Sequence, residues 1–264
     1  MRRGQSGFTL VELGVVVTIV AMLLAATMYT LSAQTEQRSF ADTQRRLEDA
    51  RELLLAFAVV HRRLPCPASA TSNGDEAPGG GGVCANYLNG FLPAAAIGFR
   101  PVDAGGYAID AWGNRIRYAL ARTAIEPGAT ATCTAPADHA FSTAANLRAN
   151  GIGCAPANLV ICDARQNTNS AVTPPSCGTW AAAGDARPVT NQRTVVAVIF
   201  STGKNTAEAC AVCPDEAENT DGDGVFVWHE PRPTGATGGQ FDDLLVWVPV
   251  GVLYGKLLAA GVLP

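Results

Sequence analysis

The chain has 264 residues, 48% of them hydrophobic, enough for one sizeable domain beside a separate apolar segment. Nineteen lysines and arginines against 23 acidic residues give a formal net charge of −4, with no basic cluster, which argues against a nucleic-acid-binding surface. No Gly-x-Ser-x-Gly elbow, phosphate-binding loop or His-Glu-x-x-His is present, and His61, His139 and His229 are scattered, so an enzyme is not expected.

A short basic leader, Met1-Arg2-Arg3, runs to Gly7, and an apolar stretch begins abruptly at Phe8. Between Phe8 and Gln34 the only charged side chain is Glu12, and there is no proline. As a helix rising about 1.5 Å per residue, such a run is long enough to cross the hydrocarbon core of a bilayer. Arg2 and Arg3 suit a positive-inside anchor that keeps the leader cytoplasmic and sends the remainder outward. An acid within such a segment costs free energy and calls for a partner or a function. Cutting between Gly7 and Phe8 would create an amine one helical turn from Glu12, on the same chain or on a neighbour. An ordinary secretory signal would have a shorter apolar core and small residues at its cut site. Leu31-Ser32-Ala33 fits that pattern poorly.

On the leader ending in Gly7, the Phe8-Thr9-Leu10-Val11-Glu12 sequence and the apolar run after it, the chain resembles the type IV pilin and pseudopilin family. The resemblance implies that a prepilin peptidase cuts after Gly7 and methylates the amine of Phe8. It also implies that Glu12 registers each subunit against the Phe8 amine of another as the helices pack into a filament. The implied partners are other pilin or pseudopilin subunits, the inner-membrane assembly machinery and membrane lipid. The protein would sit in the inner membrane with its head in the periplasm, and then in a pilus or periplasmic pseudopilus. Gly14 stands where family members commonly carry a larger apolar residue, and the helix-kinking proline of many major pilins is absent.

Beyond Ala33 the helical pattern continues. Phe40, Leu47, Leu54 and Phe57, with Ala50 and Ala58, recur on one face, and charged residues fill much of the remainder. Leu64-Pro65 should stop the helix, giving one element from about Phe8 to Arg62. The expected organisation is therefore a leader over 1–7, a transmembrane or filament-core helix over 8–33 and an amphipathic half over 34–64. A globular head over 65–264 would follow, with an insertion at about 122–193. The fold class expected is α+β, a long N-terminal helix packed on an antiparallel sheet with disulfide-tied loops.

Within the head, Ala68 to Cys84 reads as a loop, and Asp110-Ala111-Trp112-Gly113-Asn114 as a turn feeding a half-buried strand, Arg115 to Leu120. That turn resembles one in the major pseudopilins of type II secretion. Asn158 to Cys162 reads as a short strand and Thr194 to Phe200 as a central one, apolar on both faces. Gly224 to Trp228 and Asp243 to Val248 read as further strands, and Val252 to Leu263 as a short helix. Eight cysteines allow about a hundred pairings. Sequence proximity favours Cys66–Cys84, Cys133–Cys154, Cys162–Cys177 and Cys210–Cys213, the last a structural bridge and not a redox pair. The acidic loop Asp215 to Gly224 is the candidate metal site. Asp221 and Asp223 alternate with glycines so that oxygens can converge on calcium, with Asp242 and Asp243 available to complete the shell.

These features converge on a minor pilin-like structural subunit of a type IV pilus-type filament. The alternatives are a pseudopilin of type II secretion and a stand-alone membrane-anchored periplasmic binding protein.

Overall fold

The computed structural model describes residues 9–125, 138–151, 154–172, 174–178, 186–205 and 213–263, and of residues 26–33 the backbone alone. The chain divides between Asp42 and Thr43 into two units. Helix α1 (Leu10–His61) contributes to both. Arg62 closes it in the left-handed conformation, with φ 58°.

Over residues 10–25, Glu12 and Thr18 apart, α1 is apolar around its whole circumference. Leu10, Val11, Leu13, Val15, Val16, Val17, Ile19, Val20, Met22, Leu23 and Leu24 are all exposed. The hydroxyl of Thr18 donates back to the carbonyls of Gly14 and Val15, both at 2.9 Å, so its polar group is satisfied within the helix. Among the described residues no helix is long and apolar enough to cross a membrane. The apolar run read from the sequence extends into residues 26–33, whose side chains lie outside that description.

The second unit takes its core from the amphipathic end of α1. Of the face read from the periodicity, Leu47, Ala50, Leu54, Phe57 and Ala58 are buried, together with Leu55, whereas Phe40 is only half-buried. They share one core with a four-stranded antiparallel sheet. It comprises β1 (Gly90–Phe91), β2 (Arg117–Leu120), β6 (Val195–Ser201) and β8 (Leu244–Pro249), in the order β1-β2-β6-β8. Every residue of β6 is buried, as an interior strand apolar on both faces demands. Tyr118 faces Ile199, and Ile199 faces Val246, across consecutive strands. Arg115 and Ile116 fall short of the strand the sequence suggested, because Arg115 forms only an isolated bridge with Ile109.

Shorter elements fill the connections: α2 (Ala94–Ile97), β3 (Ala124–Ile125), α3 (Ala144–Asn150), β4 (Ala155–Pro156), β5 (Val160–Cys162), α4 (Pro214–Glu218), β7 (Val225–Val227) and α5 (Val250–Ala259). Two of them correct the sequence reading. β7 does not join the antiparallel sheet but pairs in parallel with β5. The stretch beginning at Asp215 opens as helix α4, with Pro214 at its first position and Asp215 and Glu216 in its first turn, a helix-start pattern rather than a loop. The segment over 122–193 is more than an appendage, since Phe141, Leu147, Leu159 and Ile161 lie in the main core.

Cys66–Cys84 and Cys162–Cys177 are bonded, as proximity suggested. Cys154 and Cys213 are also in disulfides. Cys133 and Cys210, their expected partners, lie outside the described residues.

Candidate functional site

Three places gather chemistry-bearing side chains, and the first is the start of α1. Glu12 Oε2 accepts from the backbone N–H of Thr9 at 2.9 Å and from its hydroxyl at 2.8 Å. Thr9 Oγ1 in turn accepts from the Glu12 N–H at 3.3 Å. This reciprocal pair is a capping box, Thr at the N-cap and Glu three residues on, which satisfies N–H groups that a helix start leaves unpaired. Thr9 escaped the sequence reading although the Thr-x-x-Glu spacing announces it. Gly7 and Phe8, the expected cleavage site, lie outside the described residues.

The second is the Asp110 turn. Asp110 is buried, and its Oδ1 accepts from the N–H groups of Trp112 and Asn114 at 2.9 and 2.8 Å. Its Oδ2 accepts from the Ser201 hydroxyl at 2.6 Å, tying the turn to the end of β6. Arg46, on α1, donates to the carbonyls of Ile109 and Asp110 at 3.0 and 2.6 Å, and Thr43 Oγ1 accepts from the Ala111 N–H at 3.1 Å. Burial raises the Asp110 carboxyl above its ordinary range against these hydrogen bonds. The turn thus fastens helix to sheet, and its groups are consumed in doing so.

The third is the acidic region. Asp221 and Asp223 come together with Glu218, whereas Asp242 and Asp243 come together with Glu216; within each trio the ligand oxygens lie within 4.8 Å of one another. The four aspartates read as one shell are therefore divided between two clusters, and two glutamates of α4 join them. Glu216 and Glu218 were missed because their approach depends on α4 being a helix.

The clusters differ in how their charge is met. Arg165 Nε lies 2.7 Å from Glu218 Oε2, and the Thr168 hydroxyl donates to Oε1 at 3.0 Å. Asp221 and Asp223 accept backbone N–H groups from Asp223 and Val225, as an acidic turn in solvent does. By contrast, Asp242 and Asp243 are buried. Burial, with the Glu216 carboxylate beside it, pushes Asp242 up to about 6. Burial drives Asp243 well above the carboxylate range, against a hydrogen bond from Asn219 at 2.7 Å. Among the described residues no basic side chain pairs with Glu216, Asp242 or Asp243.

Asp215 next to this region is fully engaged: it accepts from the Arg165 N–H at 2.9 Å, from His229 Nε2 and from Arg232. His229 is thereby occupied in a structural link, and Cys213 is in a disulfide.

Residues 2–28 match the family described as the prokaryotic N-terminal methylation motif, the type IV pilin and pseudopilin signal. No curated protein and no solved structure matches the chain. The motif supports a pilin-like or pseudopilin protein, processed by a prepilin peptidase and assembled with other pilins.

Proposed function

We propose that the chain is a minor pilin-like structural subunit of a type IV pilus-type filament, cleaved after Gly7 and assembled through α1. The observation that carries this reading is the methylation motif over 2–28, within which the first turns of α1, from Leu10 to Leu24, expose their apolar side chains all round. A contiguous apolar surface of that kind needs lipid or other helices around it. In this reading it is held by the inner membrane before assembly and by neighbouring α1 helices afterwards. The disulfide-tied head, longer than a minimal subunit needs, suits a low-copy position. Its work is packing and display, not catalysis. The same motif serves pseudopilins, and loss of secreted proteins in a deletion strain that still makes pili would move the assignment to type II secretion.

The capping box makes the role of Glu12 testable in a specific way. Glu12→Ala removes both the cap and the carboxylate offered to a neighbouring amine, while Thr9→Ala weakens the cap and leaves the carboxylate. Loss of an N-cap side chain costs about 1 kcal/mol, too little to abolish a helix of this length. Assembly should therefore survive Thr9→Ala and fail with Glu12→Ala, with both proteins still processed. Equal assembly of the two variants in sheared-filament fractions would reduce Glu12 to a capping residue.

A further inference from the structure

We infer that Arg117, with Arg115 beside it, forms a binding site for one carboxylate group, offered by a small acid or by an acidic stretch of polypeptide. The pairing of β1 with β2 sets Phe91 opposite Arg117, so the two side chains share one face of the sheet. The Arg117 guanidinium carbon lies 4.7 Å from the centre of the Phe91 ring. That of Arg115 lies 5.5 Å from the same ring centre and 4.0 Å from that of Tyr107. Phe91 and Tyr107 themselves meet edge to face at 5.2 Å. Two aromatic rings thus hold two like charges close together.

The two arginines are compensated unequally. Arg115 Nε donates to Asp103 Oδ2 at 2.7 Å, and Asp103 Oδ1 is fixed by the N–H groups of Gly105 and Tyr107, both at 2.9 Å. Arg117 Nη1 donates instead to a neutral acceptor, Asn89 Oδ1, at 2.9 Å. The Asn89 amide is held from its other end, where Nδ2 donates to the Thr220 carbonyl at 3.0 Å. Asp221 and Asp223 follow Thr220, yet neither comes within ion-pair distance of Arg117, nor does any other carboxylate among the described residues. Arg117 is half-buried, and burial, followed by the charge of Arg115, holds its guanidinium below the ordinary arginine range. It is a cation short of a counter-charge.

None of the Arg117 nitrogens is both buried and unpartnered, so the N–H groups that Asn89 does not use open to solvent. The charges then select the ligand. Two guanidiniums and one aspartate leave a single spare positive charge, which a monoanion neutralises and a phosphate dianion would overshoot. A guanidinium presents parallel N–H groups in a planar fork, the match for a planar carboxylate. Because Phe91 and Asn89 already fix the Arg117 side chain, binding there loses little rotamer freedom.

The test uses the full chain in detergent micelles at ionic strength held constant with sodium chloride. It is titrated with sodium acetate, and separately with an end-blocked glycine peptide carrying one glutamate, while backbone amide signals of Phe91 and Arg117 are followed by NMR. We expect a saturable shift at millimolar probe, and none with the same peptide carrying glutamine. Saturation by acetate shows that a free carboxylate suffices, and saturation by the peptide alone shows that an acidic polypeptide is required; both support the site. Arg117→Gln should weaken binding by roughly fivefold or more, because it removes the charge-assisted pair. Arg117→Lys, which keeps the charge and loses the fork, should also weaken it and keeps the comparison available if Arg117→Gln does not fold. Arg148→Gln, at an exposed position of α3, should leave binding unchanged. No saturable shift with either probe overturns the proposal. So does binding that both Arg117 variants retain, or that Arg148→Gln weakens as much as they do.

Discussion

Replacing Asp110 with alanine tests the fastening of α1 to the sheet. The carboxylate accepts three hydrogen bonds, from Trp112, Asn114 and Ser201. Alanine would leave two turn N–H groups without their acceptor, and the buried Ser201 hydroxyl without its own. Each hydrogen bond to a charged acceptor contributes about 1.5–3 kcal/mol in isolation, but bonds to one group do not add. Burial of Asp110 also opposes its charge, which lowers the net gain. A loss of about 3 kcal/mol is therefore expected, large against the usual stability of a single domain. Asp110→Asn keeps an oxygen for the two N–H groups, and Ser201 can reverse its hydroxyl to accept from the new amide. It should lose about 1 kcal/mol. The assay is urea unfolding of the oxidised full-length protein in detergent, followed by tryptophan fluorescence, because Trp112 sits in the turn. A loss below about 0.5 kcal/mol for the alanine variant would refute the reasoning.

Further outcomes follow from the same head. Glu76 and Arg63 form a buried pair, with Arg63 Nη1 and Nη2 at 2.7 and 2.6 Å from the carboxylate, which also accepts from the Cys66 and Gly80 N–H groups. Burial acts to raise the Glu76 carboxyl, but those bonds outweigh it and hold it below its ordinary range. Its stabilisation is thus full above the unfolded value of about 4.3 and is lost as pH falls through the lower folded value. Glu76→Gln should flatten the acid limb of a stability–pH profile and cost about 3–5 kcal/mol at neutral pH, by leaving Arg63 buried without its counter-charge. An unchanged acid limb would contradict this. Removing the Cys66–Cys84 bridge with a double serine substitution should cost about 2–4 kcal/mol in denaturant titration, and a smaller change would mean that the Arg63–Glu76 pair already fixes the loop. Gly203→Ala should lower the melting temperature in calcium-free buffer, because it forces a side chain against Asp242 at positive φ; a melting temperature equal to wild type would sink the close-approach argument.

What could be read from the chain was what depends on neighbours in sequence. The face of Leu47, Leu54 and Phe57 follows from a 3.6-residue period, and β6 from six consecutive apolar positions, Val195 to Phe200. Cys66–Cys84 and Cys162–Cys177 close short loops, so proximity identified them. The Asp110 turn was visible, yet its grip on Arg46 joins residues over sixty positions apart and left no local trace. The parallel β5–β7 pair was hidden for a similar reason: two three-residue strands carry too little pattern to specify a partner or a direction. Helix α4 was legible in Pro214-Asp215-Glu216, but the density of acids drew the reading toward a loop. Reading a loop there also concealed the approach of Glu216 and Glu218 and so merged two clusters into one. At the start of α1, attention to Glu12 as an assembly residue obscured Thr9, its partner within the same turn.

The most direct measurement of the central claim is the mass of the N-terminal peptide from protein isolated from the membrane and filament fractions of cells. The account predicts a chain beginning at Phe8 with a methyl group on its amine and the apolar stretch intact. A peptide still carrying Arg2 and Arg3, or one starting beyond Ala33, would contradict it.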